Sequence, residues 1–565
     1  MVSKKASTKK TSSSISSTPH KYLFIVGGVM SGVGKGVASS SIGTILKARG
    51  LSVTALKIDP YINVDAGTMN PTEHGEVFVM DSGLETDQDM GNYERFLDQT
   101  LPAINYMTTG SVYLSVIEKE RNLEYKGKNV QVVPDIPLDV IQRIESAAEE
   151  AQADVTIVEI GGTVGEYENI LFLEAARMMK QKYPDDVATA LVSYLPVPGS
   201  IGEMKTKPTQ HASRTLNSAG VFADIIIARS RLGIDAKRKD KIARFCNVLP
   251  EHVISAPDVK SIYDVPVNFE KDHLGDILCE LFDLSCKSSN LKKWSDFVRK
   301  VHRAKKEVKI GIAGKYFKSG EFVLSDVYIS VIEALKFSAY QQNLKPVIEY
   351  IDTREYDLPR RQAGKGGSLA KLKKYDGILI PGGCGREGIE GKLKIIKFCR
   401  ENKVPYFGLC YGMQLATLEY ARNVLGLKKA NTVEIDPKTP HPIIDVMPDQ
   451  KELIARGDYG GTMRLGAYPC VLKKGSVAGK AYGKARISER HRHRYEVNPE
   501  YVKSLEEAGL VFSGTSPDHT LMEIAELPKS EHPFFLGTQF HPEFLARPLT
   551  PHPLFSAFIK ASSKK

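Results

Sequence analysis

The chain has 565 residues, 42% of them apolar and 25% charged, with a formal net charge of +10. That length is worth roughly three to four domains at about 150 residues each. The composition is that of a globular protein, which excludes collagen-like repeats, a disulfide scaffold and pervasive disorder, and no run reaches the roughly 18 apolar residues of a membrane span.

The surplus charge sits largely at the ends. Residues 1–20 are Ser/Thr-rich, with four lysines and no acid, and Lys564 and Lys565 close the chain. Such a tail has nothing to bury and is expected to be disordered. It has neither the Arg-rich pattern of a transit peptide nor the apolar core of a signal peptide, which points to the cytoplasm. The excess is therefore no case for a nucleic-acid or membrane partner.

From Tyr22 the chain reads as α/β. The strand YLFIV runs into a glycine loop, then into a helical stretch closing at Gly50. Further apolar strands are predicted over 53–58, 155–160, 188–194 and 224–228, with helical stretches between them. This alternation predicts a parallel sheet covered on both faces. In the loop Gly27-Gly28-Val29-Met30-Ser31-Gly32-Val33-Gly34-Lys35-Gly36, glycines let backbone N–H groups close on phosphate, and Lys35 adds charge at a helix N-terminus. It is not a regular Walker A, because the glycine spacing is off by one and Gly36 stands where Ser or Thr would hold magnesium. By itself, a tight strand–helix turn is the other reading.

Asp87 in GLETDQD and Glu159 at the end of VTIVEIGGT are candidate magnesium ligands. A carboxylate at the end of a parallel strand faces the ligand crevice, and magnesium takes only one or two carboxylates besides phosphates and water. An ordinary loop acid and a helix-cap acid are the alternatives. Lys205-Thr206-Lys207-Pro208-Thr209-Gln210 puts two lysines at i and i+2, on one side of an extended segment. That suits a triphosphate; a solvated pair is the other reading.

Residues 288–307 are charged, hold the only Trp and read as a linker with one short helix. A second α/β unit opens at Val308. A helix is predicted over 327–340, with Val331, Ile332, Leu335 and Ala339 on one stripe, and residues 360–374 read as an exposed basic loop. Residues 404–414 pass from strand through Gly-x-Cys-x-Gly to helix, a nucleophile elbow presenting Cys410 at a helix N-terminus that favours thiolate. His541 and Glu543, at i and i+2, can share a face so that the carboxylate orients the imidazole as base. Pro381-Gly382-Gly383 offers an exposed backbone N–H for an oxyanion, and the N–H of Tyr411 is the natural second donor. The run 490–496, RHRHRYE, is electrostatically poor for a cation and suits an anion or carboxylate. The seven cysteines are odd in number and form no CxxC, the pattern of reduced thiols rather than bridges or zinc.

GLCYGMQ, QFHPEF and PGG together resemble class I glutamine amidotransferases. DPYINVDAGTMNPTEHGEVFV, ETDQD, EIGGTVGE, KTKPTQH, GGTMRLG and RHRHRYEVN resemble the CTP synthases, over nearly everything from residue 22 to about 560. The resemblance implies a P-loop-type parallel-sheet synthase (amidoligase) domain over 21–287 and an α/β class I glutaminase domain over 308–562. The second would hydrolyse glutamine through a Cys410 thioester, with His541 as base and acid and Glu543 orienting it. Gly383, Tyr411, Gly412, Met413, Gln414, Glu434 and Arg494 would bind glutamine. The first would use Mg-ATP to phosphorylate O4 of UTP, and ammonia channelled inside the protein would displace phosphate at C4 to give CTP. Enclosure keeps the ammonia from bulk-water protonation.

By the same resemblance Gly32, Val33, Gly34, Lys35 and Gly36 belong to ATP, and Asp87 and Glu159 to Mg2+. Ser31, Glu166, Glu168, Lys205, Thr206, Lys207, Pro208, Thr209, Gln210 and Lys241 belong to UTP, or to CTP as feedback inhibitor, and Lys57 steadies phosphoryl transfer. GTP as allosteric activator, homotetramers and filaments are likewise implied. The sequence departs from the family pattern at Cys384-Gly385-Arg386-Glu387, where the arginine tied to GTP activation has moved one place. It departs again at Glu166-Tyr167-Glu168, which touches the pyrimidine-sensing region and bears on CTP inhibition. The alternatives are a ligase for a different acceptor and a catalytically lapsed, filament-forming scaffold. Intact Cys410, His541, Lys35 and Glu159 speak against the scaffold.

Overall fold

The computed structural model describes residues 20–564 apart from 200–201, 316–317, 320–321, 324–325, 358–367 and 384. The basic tail expected over 1–20 lies outside the described residues except for His20, whose Nδ1 is 2.6 Å from the Ala153 carbonyl.

Seven strands form the first sheet: β1 (Lys21–Gly28), β2 (Val53–Asp59), β3 (Tyr106–Thr108), β4 (Val155–Ile160), β5 (Val187–Tyr194), β6 (Ile225–Ser230) and β7 (Val253–Pro257). Their order is β3-β2-β4-β1-β5-β6-β7 and every pairing is parallel. A parallel sheet is buried on both faces, so its strands are almost continuously apolar. Along β1, Phe24 and Val26 enter one core while Leu23 and Ile25 enter the other. The chain leaves β1 to one side, returns to β4 beside it, and then crosses to β5 on the other side. Ligand crevices open at the carboxyl ends of strands around such a crossing.

The second sheet has nine strands: β8 (Lys306–Gly314), β9 (Leu344–Asp352), β10 (Gly377–Ile380), β11 (Tyr406–Leu409), β12 (Arg464–Leu472), β13 (Arg486–His493), β14 (Val511–Thr515), β15 (Met522–Glu526) and β16 (Phe535–Thr538). Their order is β9-β8-β10-β11-β16-β15-β14-β12-β13. The first five are parallel, and the rest extend the sheet in antiparallel pairs. The β12–β13 pair at the edge reaches the N-terminal half, where Ala467 N–H donates to the Asp81 carbonyl at 2.9 Å.

Several expectations need correction. The helix expected over 327–340 is Ile329–Gln341, entered by a 3-10 turn at Asp326–Tyr328, and its predicted stripe is buried. Of the expected loop over 360–374, residues 360–367 lie outside the described residues, whereas Leu369–Lys374 is a 3-10 helix anchored by buried Leu372. Within 288–307 the helix Lys292–Arg303 buries Trp294 and Phe297. The indole donates to the Tyr263 carbonyl at 2.8 Å and lies 4.9 Å from the Phe96 ring. The thiols are not all reduced, because Cys279 and Cys286 form a disulfide. The turn after helix Leu274–Leu281 brings their Cα atoms to 6.2 Å, within bridging range. Among the described residues no helix is long and apolar enough to cross a membrane.

Candidate functional site

The glycine loop leaves β1 and enters helix Lys35–Ala48 through Gly34, whose φ of 93° suits glycine. Ser31 and Gly32 face solvent and Val33 is buried. Lys35 Nζ donates to the Gly162 carbonyl at 2.7 Å. A side chain at Gly36 would run into Oδ1 of Asp89. A Walker-type Ser or Thr is absent because a carboxylate occupies its place.

Register sets Lys57 of β2 beside Glu159 of β4. The Lys57 ammonium lies 2.7 Å from Glu159 Oε1, 2.5 Å from Asp89 Oδ2 and 3.7 Å from Asp59 Oδ1. Burial alone would strip its proton, but these carboxylates hold it charged well above the ordinary lysine range. The other Glu159 oxygen accepts from Ser39 at 3.0 Å and from Tyr93. Asp87 caps helix Gln88–Leu97, its Oδ1 accepting the Asp89 N–H at 2.9 Å. Asp89, two residues on, is the carboxylate that faces Gly36 and Lys57. Sequence reasoning passed over it, and the third acid of ETDQD was the available signal. Burial, with Asp59 and Asp89 nearby, pushes Asp87 well above the usual carboxylate range. This all-oxygen donor set suits a hard cation, although among the described residues no three His, Cys, Asp or Glu form a ready metal cage. A cation that keeps its waters and phosphate ligands needs none. Beside the loop, Gly34, Val37, Arg229, Asp258 and Phe269 enclose a cavity of about 380 Å³.

The lysine pair at 205 and 207 is not on an extended segment. Thr206 has helical backbone angles, and Lys207 with Pro208 opens helix Lys207–Ser218, the position where proline is favoured. Thr209 and Gln210 are buried, paired with Ser193 at 2.9 Å and Thr206 at 3.1 Å. Lys205 reaches Glu203 at 2.7 Å, Arg238 lies 3.8 Å from the same carboxylate, and Lys241 adds to its field. Glu166 folds back to accept the Thr163 N–H at 3.0 Å, while Tyr167 is 90% exposed and Glu168 also faces solvent.

Cys410 stands between β11 and helix Tyr411–Asn423 at φ 49°, ψ −100°. That conformation is strained for any residue with a Cβ and marks a nucleophile elbow. His541 Nδ1 lies 2.7 Å from Glu543 Oε1. Burial opposes the imidazolium, yet Glu543 and Cys410 beside it push His541 up to about 10. Gln539 Nε2 donates to the Cys410 sulfur at 3.6 Å. A Cβ on Gly382 would stand 2.7 Å from His541 Cε1, which explains the small residue there.

Gly383, Cys410, Tyr411, Gln414, Glu434 and Arg494 line one cavity of about 450 Å³ together with His541. Gly412 and Met413 do not line it; they pack against Ile380 and Gly537. Glu434 accepts the Gly385 N–H at 2.7 Å, and Arg494 is held by Gln450 at 2.6 Å and Thr462 at 2.8 Å. The cavity's far wall comes from the N-terminal half, at Gly67, Met69, Pro71 and Glu76. Sequence reasoning missed that wall. Burial pushes Glu76 up to about 8 although it accepts both the N–H and the hydroxyl of Ser330.

The first four residues of the RHRHR run, Arg490–His493, lie on β13, where side chains alternate between faces, and Arg494 follows it. Arg490 takes Asp81 and Glu94, and Arg492 takes Glu85 at 2.7 Å, so the expected anions are carboxylates of the N-terminal half. Opposite them, His491 and His493 join Arg464, Glu496 and Glu523 in a buried network. Burial, reinforced by Arg464, keeps both histidines neutral.

Residues 21–284 match the family model of the CTP synthase N-terminus, and residues 323–561 match that of the class-I glutamine amidotransferases. The CTP synthase of Bacillus licheniformis is 47% identical over 548 residues, 96% of this chain and 99% of the relative. That of Thermococcus gammatolerans is 48% identical over 547 residues, again 96% and 99%. Among solved structures, the glutaminase domain of Trypanosoma brucei CTPS with bound acivicin is 34% identical and covers 46% of this chain and 94% of that one, with a TM-score of 0.41. Two family models in tandem and relatives matched over nearly their whole length lead to one conclusion: the chain belongs to the CTP synthase family.

Proposed function

We propose that this protein is a glutamine-hydrolysing CTP synthase, aminating UTP with ammonia drawn from glutamine at the expense of ATP. The observation that carries the proposal is the shared cavity, in which the Cys410–His541–Glu543 constellation opens onto a wall built by the synthase half. Ammonia released there starts out at the boundary between the two units rather than in bulk water.

The glutaminase half supplies its own chemistry. The Cys410 sulfur attacks the glutamine carboxamide carbon while Tyr411 N–H and Gly383 N–H receive the oxyanion. His541, held protonated at neutral pH, hands its proton to the departing ammonia, and water then cleaves the thioester with His541 as base. Glu434 and Arg494 suit the ammonium and carboxylate ends of the substrate. In the synthase half the glycine loop and Lys35 cradle the ATP phosphates, and the neighbouring 380 Å³ cavity takes the base. Asp89 and Glu159, with Asp87 behind them, would hold Mg2+, which would offset charge on the phosphates. Lys57, fixed between Asp89 and Glu159, steadies the phosphoryl group moving to O4 of UTP. Half-buried Lys205 and exposed Lys241 near Glu203, with exposed Lys207, suit the UTP triphosphate, and CTP would compete there.

GTP activation, tetramers and a cytoplasmic setting belong to the same proposal. Purified protein should make CTP from UTP, ATP and Mg2+ with either glutamine or ammonium. Cys410→Ala should abolish the glutamine route alone; a folded variant that also lost the ammonium route would sink this division of labour.

A further inference from the structure

A third cavity, about 1460 Å³ in volume, opens on the far side of the glutaminase half. Its place in the fold separates it from the chemistry. Lys403 directly precedes the segment into β11, whose other end carries Cys410, and Phe534 directly precedes β16, whose other end leads to His541. The cavity therefore sits at the amino ends of strands whose carboxyl ends hold the nucleophile and base. Substrates of such sheets bind at the carboxyl ends.

Seven lysines rim it. Lys473, Lys474 and Lys480 follow β12, Lys529 follows β15, Lys403 precedes β11, and Lys560 and Lys564 lie on and after the last helix. Each is exposed, and none forms an ion pair with a described carboxylate. Elsewhere in this half, Lys336, Lys345 and Lys374 do find acidic partners. Only two acids line the cavity. Glu526 is committed to the N–H groups of Val477 and Ala478 and to Ser513, and Glu531 is the other, its backbone carbonyl accepting from Lys403. The floor is apolar, built from Val477, Ala481, Val511, Pro553, Ala557 and Ala561.

We propose that this cavity docks an acidic segment of a partner protein, one in which carboxylates alternate with apolar side chains. Three features favour a peptide. The volume exceeds the roughly 300–1,000 Å³ of small-ligand sites. The rim holds lysines and no arginine, so the rigid bidentate fork that suits phosphate is missing. Its two aromatic rings, His532 and Phe534, are both buried and offer no platform for stacked bases.

The test uses the full chain and two short fluorescein-labelled peptides, one alternating Glu with Leu and one alternating Glu with Ser, read by anisotropy. The Glu/Leu peptide should bind, more weakly at raised salt, and the Glu/Ser peptide should bind less well. Lys474→Glu/Lys480→Glu/Lys529→Glu should weaken binding by about tenfold or more while CTP formation persists; if that variant folds poorly, the corresponding Gln variant replaces it. No binding, equal binding by the variant, equal binding of the two peptides, or preference for tripolyphosphate or single-stranded DNA at these lysines would each overturn the proposal.

Discussion

Arg490 and Glu94 meet across the two halves of the chain, Nη2 2.9 Å from Oε2, with the side chains 0% and 2% exposed. Removing one member of a buried pair leaves the other charge without compensation, which costs about 3–5 kcal/mol. Arg490→Met is therefore expected to lower the denaturant midpoint strongly. Arg490→Met/Glu94→Gln should recover more than half of that loss, because no buried charge then remains unpaired. Equal midpoints for the single and double variants would show that the pair does not clamp the halves together.

Gly36 and Asp89 give a second prediction. A Cβ at residue 36 would displace Oδ1 of Asp89, and Asp89 also holds Lys57. Gly36→Ser, which restores the commoner phosphate-loop residue, should therefore damage the site. A displacement near 1 Å in positioned groups costs about 10²-fold, so ammonium-driven CTP formation should fall by about that factor. Glutamine hydrolysis measured without nucleotides should stay unchanged. An active serine variant would mean that Asp89 can move freely, and that its contact with Lys57 does not matter.

What the sequence disclosed and what it hid follow from the range of each interaction. The elbow at Cys410 was legible because strand, strained turn and helix are local, and the small residues at 408 and 412 announce it. Asp87 was preferred to Asp89 because one-dimensional spacing does not say which acid caps a helix and which faces the crevice. The proline at 208 carried a helix-start signal that the extended reading of the lysines overrode. Arg490 gave no hint of Glu94, because the contact joins distant segments and one sequence contains no pairing information. The Cys279–Cys286 bridge was hidden for a different reason, since its spacing matches no redox or metal motif.

The last prediction concerns pH. His541 sits at about 10 in the folded protein, where Glu543 and Cys410 overcome burial, against an unfolded value near 6.5. The folded state thus holds a proton that the unfolded state gives up. The resulting stabilisation is fully present below about pH 6.5 and declines as pH rises, vanishing as His541 titrates near 10. Glu543→Gln removes the carboxylate that contributes most to holding that proton. The gap in denaturant midpoint between the native protein and this variant should be widest near pH 6.5 and shrink steadily toward pH 10. The same variant should lose about 10²-fold or more in glutamine hydrolysis, the usual worth of a positioned acid–base group, while ammonium-driven CTP formation survives. A gap that widened with rising pH would mean that the imidazole is neutral in the folded protein, and that Cys410 meets glutamine without a charged partner.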